Sequence, residues 1–254
     1  MVVGFIGLGN LGEKLAATLL RSNINLLVHD KVKKNAFELI EKGAKWENTP
    51  FDLAKKSDFI ITCLPSPTIC AEVMESELGV IQGITSGKIW IEMSTTSKKE
   101  VLRLSKIVKE AGGYSSDCPV SGGCHKATTG NISIFSGCER KVFKKIKPIL
   151  FIMGKKILHT GNIGTASVLK VMTNYLATSN LIACCEALIT MKGEGLDLAK
   201  TFEAIKISSG NSFVHETESQ VILNGSRDIN FTMDLVLKDI ELFQKIADER
   251  SIPL

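Results

Sequence analysis

The stretch GFIGLGNLGEKLAATLL, residues 4–20, decides how the rest of the chain is read. It places G-x-G-x-x-G at Gly7, Gly9 and Gly12, directly after the apolar run VVGFIG (2–7) and at the head of a helix-period segment (11–21). Glycine triplets arise by chance. A strand, a glycine turn and a helix in that order are what a dinucleotide site needs. Gly7 permits the tight turn, Gly9 lets backbone approach a pyrophosphate, and Gly12 lets the helix pack close to the strand. With Leu8, Asn10 and Leu11 these residues form the candidate loop, and the anion rests on the helix N-terminus. The plainer reading is a glycine turn with no ligand.

Outward from that loop, short apolar runs alternate with amphipathic segments. Residues 24–30, 59–64, 88–94, 132–137 and 156–160 read as strands, apolar on both parities, as in a sheet covered on both faces. Residues 33–42, 98–111 and 139–150 read as helices. The expected fold is α/β, an N-terminal Rossmann, doubly wound sheet built from βαβ units. After Gly164 strand signals stop. TASVLKVMTNYLATSNLIACCEALITMKGEG (165–195) reads as one long helix closed by Gly193 and Gly195, and two further helices are expected, one stopped at Gly210 and one over 232–250. The expected domains are 1–162, binding NAD(P), and 163–254, all-α, for substrate and oligomerisation.

Composition narrows the function classes. The 254 residues are 44% hydrophobic, enough for one large or two modest cores, with a net charge of +4. KVKK (31–34) and KVFKKIK (141–147) read as solvated faces, and 6% aromatics leave no stacking platform, so nucleic acid is not an expected partner. Seven cysteines (63, 70, 118, 124, 138, 184, 185) form no C-x-x-C pair. They read as reduced thiols packed as small apolar residues in a cytoplasmic protein, with no metal site. The N-terminus lacks the pattern of a signal peptide, and residues 175–191 carry Ser179, Asn180 and Glu186, which argues against a membrane span.

Three further places carry chemistry. Asp30, eighteen positions past Gly12, stands where an acid bonds the adenosine ribose and repels a 2′-phosphate. This favours NAD, with NADP kept open by Lys31, Lys33 and Lys34. In SDCPVSGG (116–123), Pro119 fixes the backbone and Ser121, Gly122 and Gly123 offer consecutive N–H groups suited to a carboxylate, or else form an ordinary turn. In VLKVMTN (168–174), Lys170 and Asn174 share one face of an otherwise apolar helix. A lysine at a helix margin can simply snorkel to water.

Taken together, GFIGLGNLG (4–12), LP (64–65), MSTTS (93–97), DCPVSGG (117–123), GNIGTASVLKVMTN (161–174) and FTMDLVLKD (231–239) resemble, in order, the β-hydroxyacid dehydrogenase family. That group includes 3-hydroxyisobutyrate dehydrogenase, tartronate semialdehyde reductase and glyoxylate/succinic semialdehyde reductase. The resemblance implies that Leu64, Pro65 and Thr95 line the cofactor and that Ser121, Gly122 and Gly123 hold a small carboxylate substrate. It implies Lys170 as acid/base, Asn174 beside it orienting the substrate, Phe231 as a pocket wall, and Lys238 toward the cofactor. The chain departs from the family pattern at Ala166, where a third glycine is usual, and at Lys126, which with His125 beside it replaces the third glycine of the substrate loop's usual Gly-Gly-x-x-Gly-Ala. Ser167 and Thr173 stand where 6-phosphogluconate dehydrogenases place histidines, and Lys170 separates the chain from imine reductases. The resemblance also implies a further helical stretch after SIPL (251–254). The long helix after residue 164 and the helical domain lead to the expectation of a homodimer or homotetramer. His125 is the rival acid/base. A non-catalytic dinucleotide-binding regulatory or scaffold protein is the alternative function.

Overall fold

VVGFI forms β1 (Val2–Ile6) in the computed structural model, which describes residues 1–226 and 231–254. Then come α1 (Gly12–Arg21), β2 (Asn25–His29), a 3-10 turn running into α2 (Phe37–Glu41), β3 (Lys45–Trp46), α3 (Pro50–Lys56) and β4 (Phe59–Thr62). The chain continues through α4 (Pro67–Glu75), α5 (Val80–Gly83), β5 (Ile89–Glu92), α6 (Lys98–Glu110) and β6 (Tyr114–Asp117). The last part of the sheet is built by β7 (Val120–Ser121), α7 (Gly123–Thr128), β8 (Ile132–Gly137), α8 (Arg140–Met153) and β9 (Gly154–Gly161).

The strands lie in the order β3-β2-β1-β4-β5-β6-β8-β7, with β9 paired to β8. From β3 to β6 every pairing is parallel, as the βαβ alternation requires. The far end differs: β8 runs antiparallel to both β6 and β7. Parallel return needs a crossover of about a dozen residues or more. Residues 122–131, which already hold α7, are too few, so the chain doubles back. Period two in the strands feeds both faces of the sheet. Val3, Phe5, Ile61 and Ile91 enter one apolar cluster with Leu15 and Leu19, while Ile6, Ile60 and Trp90 enter another with Leu53 and Met74. Each such side chain, fully buried, contributes about 1.5–3 kcal/mol.

Two helices absent from the sequence expectation carry readable starts. Thr49 accepts the Asp52 N–H ahead of Pro50, and Ser66 accepts the Ile69 N–H ahead of Pro67. A hydroxyl cap followed by proline at the first helical position is a start signal in its own right.

The chain divides into two compact units, Met1–Val171 and Met172–Leu254. The division falls inside α9 (Thr165–Gly193), a single helix of 29 residues. The second unit continues with α10 (Leu198–Lys206), a π-helical turn at His215–Ser219, α11 (Gln220–Leu223) and α12 (Met233–Asp248). α10 stops at Lys206, short of the expected Gly210. Tyr175 of α9 stacks on Phe243 of α12 with ring centroids 4.4 Å apart. A polar knot that the sequence did not reveal is buried here. His215 Nε2 lies 3.0 Å from the Phe202 carbonyl, which only accepts, so that nitrogen holds the proton and Nδ1 faces Cys184 Sγ and Ser219 Oγ at 3.2 and 3.1 Å. No helix among the described residues is long and apolar enough to cross a membrane.

Candidate active site

The glycine loop has the geometry its sequence demands. Gly7 adopts φ +94°, and a Cβ there would lie 2.3 Å from the Cys63 carbonyl oxygen. A Cβ on Gly12 would lie 1.9 Å from the Gly7 carbonyl oxygen, whereas one on Gly9 would meet nothing within 4 Å. Gly7 and Gly12 therefore close the strand–helix turn, and Gly9 faces open space where a ligand backbone contact is wanted. Leu8 is buried, Asn10 is exposed and Leu11 precedes α1, whose first turn has no side-chain cap. Its N–H groups are thus oriented for an anion. These residues fit a dinucleotide pyrophosphate.

Asp30 stands just past β2. Its Oδ2 accepts the Leu8 N–H at 2.7 Å, and its Oδ1 accepts the Val32 N–H at 2.8 Å and Asn35 Nδ2 at 3.1 Å. Three bonds leave a carboxylate room for about one more donor. A cavity of about 340 Å³ adjoins it, lined by Leu8, Gly9, Asn10, Glu13, Lys14, Lys34, Asn35 and Glu38. Of the lysines beside Asp30 in sequence, only Lys34 lines this cavity.

Leu64, Pro65 and Thr95 belong to two loops that one buried acid ties together. Leu64 N–H donates to Ser94 Oγ at 2.7 Å, and Ser94 N–H donates to Glu92 Oε1 at 2.6 Å. Glu92 Oε2 accepts from Thr62 Oγ1 and Cys70 Sγ, each at 2.8 Å, and Trp90 Nε1 donates to Thr62 Oγ1. Burial pushes the Glu92 carboxyl above its usual 4.5, against the pull of the hydrogen bonds from Cys70, Ser94 and Thr62. The Cys63 thiol is pushed up to about 12, by burial first and the Glu92 charge second. Between 4.5 and its raised folded value, Glu92 keeps in the folded chain a proton that the unfolded chain releases. That contribution to stability is full below 4.5 and declines as pH rises through the folded value. Glu92→Gln cannot titrate, so its melting temperature is expected to fall less than the wild type's between about pH 5 and about pH 8. Equal falls in thermal melts would contradict this.

In the second candidate loop, Ser121 ends β7, Gly122 and Gly123 take φ of +126° and +77°, and α7 starts at Gly123. The Lys126 stem folds back over Gly122, its Cδ only 2.8 Å from where a Cβ would be. His125 is exposed on α7, beside Gly123.

Lys170 is 8% exposed in α9, flanked on the same helix by buried Ala166, Ser167 and Val171. The first turn of that helix is held by Asp117, at the end of β6. Asp117 Oδ1 accepts the Gly164 N–H at 2.8 Å, and Oδ2 accepts the Ser167 N–H and Oγ at 2.7 and 2.9 Å. Burial pushes the Asp117 carboxyl up, and these donors pull it back toward the ionised form.

In the second unit, Asn174 Nδ2 donates to Asp239 Oδ2, and Lys238 Nζ lies 3.0 Å from Asp239 Oδ1. Asn174, Lys238 and the buried Asp239 are thus brought together. Phe231 is 41% exposed, two residues before α12. Asp117, Glu92 and Asp239 had been given no role from sequence. Asp239 was detectable: it falls between Leu235 and Leu242 on the face of α12 that the structure buries, an acid at a core position.

Residues 2–161 match the family model described as the NAD binding domain of 6-phosphogluconate dehydrogenase. Residues 164–254 match the one described as NAD-binding of NADP-dependent 3-hydroxyisobutyrate dehydrogenase. The chain is 33% identical over 253 residues to 2-(hydroxymethyl)glutarate dehydrogenase of Eubacterium barkeri, covering 99% of this chain and 84% of that one. The chain belongs to the β-hydroxyacid dehydrogenase family. It is also 36% identical over 214 residues to a probable mitochondrial 3-hydroxyisobutyrate dehydrogenase of Dictyostelium discoideum, covering 84% of this chain and 67% of that one. The crystal structure of 3-hydroxyisobutyrate dehydrogenase from Salmonella typhimurium shares the fold, with a TM-score of 0.91 at 23% identity over 100% of this chain and 89% of that one. As a β-hydroxyacid dehydrogenase the chain is an NAD(P)-dependent oxidoreductase acting on CH–OH groups. Nothing in these comparisons supports the non-catalytic alternative.

Proposed function

We propose that this β-hydroxyacid dehydrogenase interconverts a small 3-hydroxy acid and its semialdehyde or oxo acid, with NAD preferred over NADP. Ser121, Gly122 and Gly123 hold the substrate carboxylate and Lys170 moves the hydroxyl proton. One observation carries this reading: buried Lys170 follows, by one helical turn, the point where Asp117 ties α9 to the strand leading into Ser121. The two relatives' names, a 2-(hydroxymethyl)glutarate and a 3-hydroxyisobutyrate dehydrogenase, both denote hydroxylated carboxylates.

When bound, the nicotinamide accepts or supplies the hydride. In oxidation the neutral Lys170 amine takes the hydroxyl proton, and in reduction its ammonium returns it to the carbonyl oxygen. Asn174, oriented by Asp239, directs its amide toward the substrate and does not titrate. Gly7, Leu8, Gly9, Asn10, Leu11, Gly12, Asp30, Leu64, Pro65, Thr95 and Lys238 hold the cofactor, and Phe231 walls the pocket. Residues 1–162 form the cofactor domain, which also carries the Ser121-Gly122-Gly123 loop, and 163–254 form the helical domain for substrate and self-association, which also brings Lys238. Cys70, Cys118 and Cys138, buried as thiols among hydrogen-bonding side chains, support a reducing, cytoplasm-like setting. Exposed Leu176, Ile182 and Ile189 on α9 support a homodimer or homotetramer.

A panel of 3-hydroxy acids and their methyl esters, assayed with NAD and with NADP, tests the reading. Turnover is expected for the free acids and not for the esters; equal turnover of both would remove the carboxylate from the account. Asp30→Ser is expected to lower the NAD-over-NADP preference in kcat/KM by roughly tenfold to a hundredfold, the worth of a hydrogen bond to a charged group. The ratio is the readout because Asp30 also holds Leu8, a loss both cofactors share. An unchanged ratio would take Asp30 out of cofactor selection.

A further inference from the structure

Asp117 has no substrate or cofactor role in the reading above, yet it joins the two elements on which that reading depends. It is fully buried at the last position of β6, four residues before Ser121. Its two oxygens receive three donors from the start of α9: the Gly164 N–H, the Ser167 N–H and the Ser167 hydroxyl. A carboxylate there satisfies N–H groups that the first helical turn cannot satisfy itself, and it complements the helix dipole. Room for this contact is built in. A Cβ at Gly137, paired with Asp117 across the sheet, would stand 2.4 Å from Asp117 Oδ1 and 3.0 Å from Thr165 Oγ1. Lys170 then follows Ser167 by three residues on the same helix.

We infer that Asp117 is a positioning residue for Lys170: it fixes the register of the first turns of α9 against the strand that carries the Ser121-Gly122-Gly123 loop. The distance from the substrate carboxylate to the proton-transfer group is thereby set by one buried side chain. This inference rests on the proposed role of Lys170. Misplacing a reacting group by about 1 Å costs up to roughly a hundredfold in rate.

Asp117→Asn keeps the size but turns an amide N–H toward donors that need an acceptor. It is expected to lower kcat about tenfold to a hundredfold and to leave the NADH dissociation constant, read by fluorescence titration, within about twofold. The deciding comparison repeats the substitution in a Lys170→Ala background, by single-turnover NADH formation. Because Asp117 acts through Lys170, no further loss is expected there. The same fold-loss in both backgrounds, or an unimpaired Asp117→Asn single variant, would overturn the inference. If Asp117→Asn fails to fold by circular dichroism, Ser167→Ala replaces it in both backgrounds. That variant removes one donor and keeps both backbone bonds, so a loss of a few-fold in kcat, absent without Lys170, is expected, and no loss overturns the inference. Near-normal turnover of Lys170→Ala sinks the acid/base assignment and this inference with it. An inactive Lys170→Ala beside an unimpaired Asp117→Asn sinks this inference alone.

Discussion

Lys170→Ala is expected to lower kcat by about 10²–10⁴-fold, the range for loss of a positioned acid/base, with little change in NAD affinity. Lys170 lies within a 29-residue helix and is 8% exposed. Alanine is the strongest helix former, so α9 should persist. The loss therefore belongs to chemistry and not to folding. Paired measurements of kcat and of the NADH dissociation constant check this, and near-normal turnover would refute the assignment. His125→Ala serves as the contrast. That ring is exposed on α7, and its removal is expected to leave kcat within a few-fold of wild type.

The second large effect is expected at Gly12. A Cβ there would sit 1.9 Å from the Gly7 carbonyl oxygen, which is backbone and cannot rotate aside. Gly12→Ala must push α1 away from β1, opening the turn and displacing the N–H groups meant for the pyrophosphate. Overpacking of this kind costs about 1–3 kcal/mol, equivalent to roughly tenfold to a hundredfold if it falls on NAD binding. A lowered melting temperature should accompany the weaker binding. Gly9→Ala separates the two causes, since nothing lies within 4 Å of its Cβ position. It should weaken NAD binding and leave the melting temperature unchanged. Wild-type melting and binding in Gly12→Ala would contradict the close-packing argument.

How much could be read from the sequence follows from how local each signal is. The cofactor loop was legible because strand, turn and helix lie within residues 2–21, and β2, β4 and β5 because each is a short apolar run of its own; β6, which reads YSSD, is not and was missed. The two-residue β3 and β7 carry too little pattern to detect. The helices at Pro50 and Pro67 were missed although Thr49 and Ser66 announce them. The antiparallel end of the sheet was also missed, since it depends on the loop between Ser121 and Ile132 being short. Within the candidate site, Lys170 and Asn174 stood out as polar groups on an apolar helix. Asp117 did not, because its partners lie 47 and 50 residues away, and neither did Asp239, 65 residues from Asn174. Their contacts exist only after folding: no local periodicity marks Asp117, and Asp239 shows only as an acid on the apolar face of α12, with nothing local to name Asn174 as its partner.

The pH dependence of kcat, measured side by side for wild type and Lys170→Ala at saturating cofactor and 3-hydroxy acid, tests the central claim most directly. An ionisation is expected in the wild-type profile that is absent from the variant, whose slow residual turnover no longer depends on that group. The same ionisation in both profiles would show that another group moves the proton.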